Sequence, residues 1–400
     1  MKTAMIDLAV DRMAHNKHSA STEFLMVARD ANGARYVDEL EENCINLGYS
    51  HGGLCLERFS EQAMSSVDIF VMIAPDDEGL SNVDDLVCAL DYCIANDVGM
   101  ISLSMGTTDY RDAAKLSEAV ERIVQAGGIL IAGASNKRRL SFPACLPGCI
   151  GVCLDTTHMS GSMHEPGLDT GRFSYSEDSA DGIEVIVSPV KRDYSYLQSN
   201  SEATAHLVGY IFREVLAGMP AYPDLTSQRL TAMERVRSSL AAKSARFDLR
   251  HTYKYAYDSI FDDYNEDVLV VAVQGLQTDP AEFYGGELQR LFQEDDYFCV
   301  AVYPGGYSTP ALGSGRLYCF AKPEFLRCSY GEYIDLIVRM CQPNVLLFDF
   351  CGSNADGIEH DIVLLSDNNL TCMSEDVLQM SMAEHTPDEV FALIVSRYSE

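Results

Sequence analysis

Residues Leu197 to Phe212 read LQSNSEATAHLVGYIF. Ser199, Asn200 and Ser201 crowd the start of an apolar run, and His206 follows one turn later. Two readings compete. Serine and asparagine are favoured as helix caps, where a side-chain oxygen accepts an orphan backbone N–H. A serine in the same place can also be a nucleophile, because the N–H groups and dipole of a helix N-terminus favour developing negative charge. His206 is excluded as its base. On a helix the facing neighbours lie three and four residues apart, not five.

Upstream, apolar strands alternate with helical patterns. TAMIDLAV, from Thr3, reads as a buried strand ending in an aspartate, and DIFVMIA (Asp68 to Ala74) as a second strand. SNVDDLVCALDYCIAN (Ser81 to Asn96) has a polar cap and then helical spacing, and VGMISLSMG (Val98 to Gly106) follows as a strand. RDAAKLSEAVERIVQAGG is a helix closed by Gly127 and Gly128, before the strand ILIAGASN. GIEVIVSP (Gly182 to Pro189) adds a later strand. Such alternation implies crossover units and a parallel sheet covered on both faces.

After Gly218 the character changes. MPAYPDL reads as a connector and residues 226–247 as an amphipathic helix. From residue 267 a second α/β run begins, with VLVVAVQG, YFCVAVYPGG and NVLLFDFCG as strands. The last helix opens with Thr386 as cap, Pro387 at its first position and Glu389 three residues after the cap. The expected fold class is α/β: a doubly wound parallel sheet over 1–218, a linker with one helix over 219–265, and a second, smaller α/β domain over 266–400.

Of 400 residues, 47% are apolar, as in a globular protein with a core. Acids outnumber bases 60 to 29, a formal charge of −31. That excess repels nucleic acid and anionic membranes, and attracts a basic peptide or partner. The 13 cysteines form no CxxC pair, and neither an export signal nor an apolar run of membrane-spanning length occurs. A reducing cytoplasm is the expected setting.

A serine hydrolase needs a histidine to take the serine proton, a carboxylate to hold that histidine, and donors for the oxyanion. Segments carrying such residues occur here in one order: AMIDLAVD, SHGGLC, the run ending ISLSMG, GGILIAGASN, SFPACLPGCIGVCLD, RFSYSEDSADGIEVIVSP and SNSEATAHLVG. Together they resemble the subtilisin-like serine proteases (subtilases) over about residues 1–217. The resemblance implies a doubly wound sheet and an endopeptidase. It makes Ser201 the nucleophile, His51 the general base, Asp7 its orienting carboxylate and Asn136 the oxyanion donor beside the Ser201 N–H. The order Asp…His…Ser is the one subtilisin uses. Ser104, Met105 and Gly106 become an edge that pairs with an extended peptide, with Gly133 beside it. No cofactor and no metal ligand is assigned.

Several positions depart from the family pattern. Its second histidine is Leu54 or Gly53, the glycine before the Thr-Ser pair is Ser199, the threonine is Asn200, and a proline is Ala205. Ser199 is expected to narrow or reshape the cleft. Cys55, four residues after His51, shares its helical face and reads as a buried small hydrophobe. His15 and His18 read as a solvated segment, not a metal pair. The aspartate strand begins near residue 3, so no folding propeptide is expected ahead of it. The function expected is a cytoplasmic endopeptidase acting on a peptide or protein substrate, such as a dedicated precursor with a leader to remove. A non-catalytic peptide-binding scaffold and an acyl-transferring macrocyclase remain alternatives. Strand ends near Gly305, Gly306, Asp349 and Gly352 mark a place where a small ligand could sit.

Overall fold

Seven parallel strands flanked by two antiparallel edges form the first sheet, in the order β3-β2-β4-β1-β5-β6-β7-β9-β8. These are β1 Thr3–Asp7, β2 Glu23–Arg29, β3 Arg35–Glu39, β4 Ile69–Met72, β5 Met100–Leu103, β6 Ile129–Gly133, β7 Cys149–Leu154, β8 Phe173–Tyr175 and β9 Val185–Val187. Only β3 on β2 and β8 on β9 run antiparallel. The computed structural model describes residues 1–74, 81–136, 139–155, 173–175, 182–188, 197–216, 231–244, 268–276, 279–305, 311–313, 317–321, 329–350, 361–365 and 378–398.

The strands read as continuous apolar runs because both faces are covered. Met5, Phe70, Met100, Ile129 and Ile131 join one core cluster with Leu56, Phe59, Ala203 and Leu207. Their alternate neighbours Ala4, Ile6, Ile101 and Leu103 are equally buried, so the opposite face is covered too. Helices α1 Arg12–His18, α2 His51–Ala63 and α5 Asn200–Ile211 pack together. Helices α3 Val83–Ala95 and α4 Ala113–Gln125 pack with each other. The amphipathic helix expected within 226–247 is α6, Ala232–Lys243, whose Met233, Val236 and Leu240 enter the same cluster.

The chain divides into two compact units. One comprises Met1–Lys137, Ser141–Glu177 and Gly182–Phe247, the other Arg138–Leu140, Asp178–Asp181 and Asp248–Glu400. The second unit has its own seven-stranded sheet, β12-β13-β11-β14-β10-β15-β16. Its strands are β10 Leu269–Val273, β11 Cys299–Gly305, β12 Ala311–Gly313, β13 Leu317–Ala321, β14 Val345–Asp349, β15 Ile362–Leu365 and β16 Leu378–Ser381. All neighbours there are parallel except β12 on β13. The chain is therefore an α/β protein with two parallel-dominated sheets, as its alternating pattern predicts.

The tightest joint in the first unit is α2 against α5. A Cβ on Gly209 would lie 2.5 Å from the Phe59 carbonyl oxygen and 2.9 Å from the Gln62 Cβ. Gly209→Ala is therefore expected to destabilise the first unit by about 1–3 kcal/mol, despite alanine's better helix propensity. Urea unfolding followed by circular dichroism checks this, and equal or greater stability would refute the contact.

Candidate functional site

Asp7 ends β1, and the strand order reverses around it: the chain runs first to β2 and β4 on one side, then to β5, β6 and β7 on the other. A crevice opens at the carboxyl ends of strands at such a point. The Asp7 side chain is fully buried. Its Oδ1 accepts the Leu8 N–H at 2.7 Å and meets His51 Nδ1 at 2.7 Å. Among the described residues Asp7 Oδ2 has no hydrogen-bond partner.

His51 is the first residue of α2, and its local chemistry explains that start. Ser50 is the N-cap, accepting the Gly53 N–H at 3.1 Å, and Asp11 Oδ2 accepts both the Ser50 N–H and its hydroxyl. The Gly52 N–H donates to the Ala9 carbonyl, and a Cβ there would stand 2.2 Å from that same oxygen. Glycine is thus required for α2 to settle against the segment after β1. The imidazole remains 39% exposed. Its pKa is raised above the usual histidine value by the Asp7 hydrogen bond. Partial burial opposes this, and the charges of Asp7 and Glu202 add to it.

Cys55 lies one turn on, fully buried as expected. Its thiol pKa is pushed well up, first by burial and then by the Asp7 charge. Ligand atoms of Asp7, His51 and Cys55 lie within 4.8 Å of one another. Nδ1 and Oδ1 are already committed to each other, and the thiol is held neutral. The trio is therefore a hydrogen-bonded dyad above a thiol.

The N-cap of α5 is Ser199, whose hydroxyl accepts the Glu202 N–H at 3.2 Å. Ser201 is therefore not the cap. It lies in the first turn, 6% exposed, and its Oγ donates to the Ser104 carbonyl at 2.9 Å. Among the described residues no hydrogen bond joins Ser201 to His51, and the Ser201 N–H has no intramolecular acceptor. Asn136, just past β6, accepts the Asn200 N–H on Oδ1 at 2.9 Å. A backbone N–H needs an acceptor there, so the amide oxygen of Asn136 and not its Nδ2 faces Asn200. Asn200 ties the region together: Oδ1 accepts the Leu154 N–H, and Nδ2 donates to the carbonyls of Ala134 and Ser135.

Ser104 follows β5, with its N–H on the Ile6 carbonyl at 3.2 Å. Among the described residues neither Met105 nor Gly106 makes a main-chain hydrogen bond, and the chain next bridges from Thr107 to Phe142. Gly133 ends β6 beneath α5, where an added Cβ would meet Thr204 Oγ1 at 3.1 Å. His206 is buried within α5. The solvated reading of His15 and His18 is corrected. His18 is buried and bonds Ser66 Oγ through Nδ1 at 2.9 Å, and His15 packs on the Phe24 ring. Gly305 and Asp349 end β11 and β14, whereas Gly306 and Gly352 lie outside the described residues.

Two functional features escaped sequence reading. One is the Asn200 cross-tie. The other is Glu202, whose Oε2 accepts from Arg58 Nε at 3.0 Å and whose Oε1 accepts the Gln198 N–H at 3.2 Å. The signal was present: Ser199-Asn200-Ser201-Glu202 has capping-box spacing.

No family model matches the chain. Over 164 residues it is 24% identical to the minor extracellular protease Epr of Bacillus subtilis (strain 168), covering 40% of this chain and 24% of that protein. Over 162 residues it is 26% identical to a thermostable alkaline protease of Halalkalibacterium halodurans, covering 40% of this chain and 42% of that one. The match thus spans about a quarter and about two fifths of those relatives' lengths. A solved structure titled S41 psychrophilic protease aligns with a TM-score of 0.40 and 16% identity, over 60% of this chain and 82% of that one, a likeness too slight to define a shared fold. Among the described residues no helix is long and apolar enough to cross a membrane. The chain's distant relatives are proteases.

Because the folded pKa of His51 is raised, its stabilising contribution is full below the unfolded value of about 6.5 and is lost as pH rises through the folded value. His51→Gln should therefore destabilise the protein more below about pH 6 than above about pH 9. Chemical unfolding at both pH values checks this. An equal deficit at both would contradict the dyad.

Proposed function

We propose that the first unit is a subtilisin-like serine endopeptidase domain, over about residues 1–218, hydrolysing a peptide bond through an acyl-enzyme. The observation that carries this reading is the buried Asp7 bound to His51 Nδ1 at 2.7 Å, in the crevice that also holds the first turn of α5. Asp7 fixes the tautomer and stabilises the imidazolium, leaving Nε2 for the Ser201 proton. The Ser201 hydroxyl turns from the Ser104 carbonyl to Nε2 and attacks the scissile carbonyl. The oxyanion is met by the Ser201 N–H and Asn136 Nδ2. His51 then returns the proton to the leaving amine, and water repeats the sequence on the acyl-enzyme. The open main chain of Met105 and Gly106 suits pairing with an extended substrate.

A selective role is part of the proposal: processing of a dedicated precursor, for instance removal of a leader, by a cytoplasmic enzyme. The acid excess suits a basic substrate. Free thiols such as Cys55, Cys93, Cys149 and Cys299 suit a reducing compartment. Residues 266–400 would serve docking. The Ser201–Ser104 hydrogen bond favours one second reading, a peptide-binding scaffold without turnover.

A fluorophosphonate probe should label the folded chain, and Ser201→Ala should abolish labelling. Asn136→Ala should lower peptidase turnover by about 10²–10³ while leaving the fold intact. Folded wild-type protein that takes up no probe would overturn the enzyme reading in favour of the scaffold. Product mass separates hydrolysis from ring closure, because only hydrolysis adds water.

A further inference from the structure

The residue after Ser201 is an acid, and it is almost entirely out of water. The Glu202 side chain is 3% exposed and its partner Arg58 12% exposed. Their ion pair, Nε to Oε2 at 3.0 Å, joins α5 to α2. On α2, positions 51, 55, 58 and 62 fall within one narrow face, at offsets of four, seven and eleven residues. His51 and Arg58 therefore look toward the same neighbour. Capping explains only half of Glu202: Oε1 takes the Gln198 N–H, while Oε2 is committed across the helix interface.

We propose that Glu202, clasped by Arg58, is a positioning residue for His51, joining the nucleophile's helix to the base's helix and setting the charge seen by the imidazole. The catalytic consequence rests on the serine-protease reading. The electrostatic part does not, since it concerns His51 alone.

The charged and titratable groups around His51 are few. Asp7 faces it from β1 and Glu202 from α5; Cys55 and Arg58 share its helix face. Asp11, before α1, is spent on the start of α2. From α1, Lys17 pairs with Glu57, which lies on another face of α2. Glu61 makes a surface contact with Arg58 at 3.4 Å. Glu202 is thus the nearby acid, other than Asp7, whose charge raises the His51 pKa. In the low dielectric between two helices such a charge is weakly screened. Arg58 offsets it in part by pairing with it.

The test is the titration of His51 in the full chain, read by NMR of 13C-labelled histidine, with His51→Gln assigning the resonance. Glu202→Gln keeps an acceptor for the Gln198 N–H but removes the negative charge and leaves Arg58 unopposed. Its His51 midpoint should move to lower pH. The double variant Arg58→Met with Glu202→Met removes both charges, a replacement that buried pairs often tolerate without loss of stability. Its midpoint should lie between those of Glu202→Gln and wild type. Fluorophosphonate labelling rates should show the same order in their acid limbs, with labelling of Glu202→Gln slower by about threefold or more at the wild-type optimum. A folded Glu202→Gln variant whose His51 midpoint stays at the wild-type value would overturn the proposal, as would any other order. Absence of labelling in wild type would instead strike at the protease reading and leave the NMR order intact.

Discussion

The first unit depends on a joint with no clearance. Helices α2 and α5 approach so closely that Gly209 has backbone of α2 where a side chain would go. Packed interiors do not deform smoothly, so this contact fixes the two helices as a pair. His51 begins one and Ser201 lies in the first turn of the other. Asp7 reaches up from the sheet between them, and Gly52 lets α2 descend far enough to meet it. Each candidate side chain is thus placed by main-chain packing, a more rigid support than side-chain contacts alone.

The same joint carries an electrostatic cost. A carboxylate nearly removed from water must be paired, and pairing recovers its desolvation only with good geometry and further hydrogen bonds. Glu202 has both, with Arg58 on one oxygen and the Gln198 N–H on the other. Arg237 and Glu184 repeat the pattern under α6, with Nε and Oε2 3.1 Å apart. These arginines are spent on nearly buried carboxylates. Losing one member of such a pair is far more damaging than replacing both, because the survivor is left charged and dry.

Much of the sheet could be read from the sequence because burial on both faces leaves continuous apolar runs, and β1 through Asp7 is one. The helix at Asn200 was legible from its polar start, and the structure assigns the cap to Ser199. Spacing alone could not show which acceptor the Ser201 hydroxyl takes, since the Ser104 carbonyl comes from a strand end 97 residues away. Nor could it show that Asn200 spans β6 and β7, because both partners are main-chain groups and leave no trace in residue type. His18 misled for a related reason. Its short helix is polar in composition, and burial came from Ser66 and the segment before β4.

The hydroxyl resting on Ser104 does not weigh heavily against chemistry at Ser201. A neutral hydroxyl–carbonyl bond is worth only about 0.5–1.5 kcal/mol net, and a serine changes rotamer with little hindrance. The expensive element is already built: a desolvated carboxylate on Nδ1. The resting bond to Ser104 is thus a small part of the energetics of the site beside the burial of Asp7 against His51.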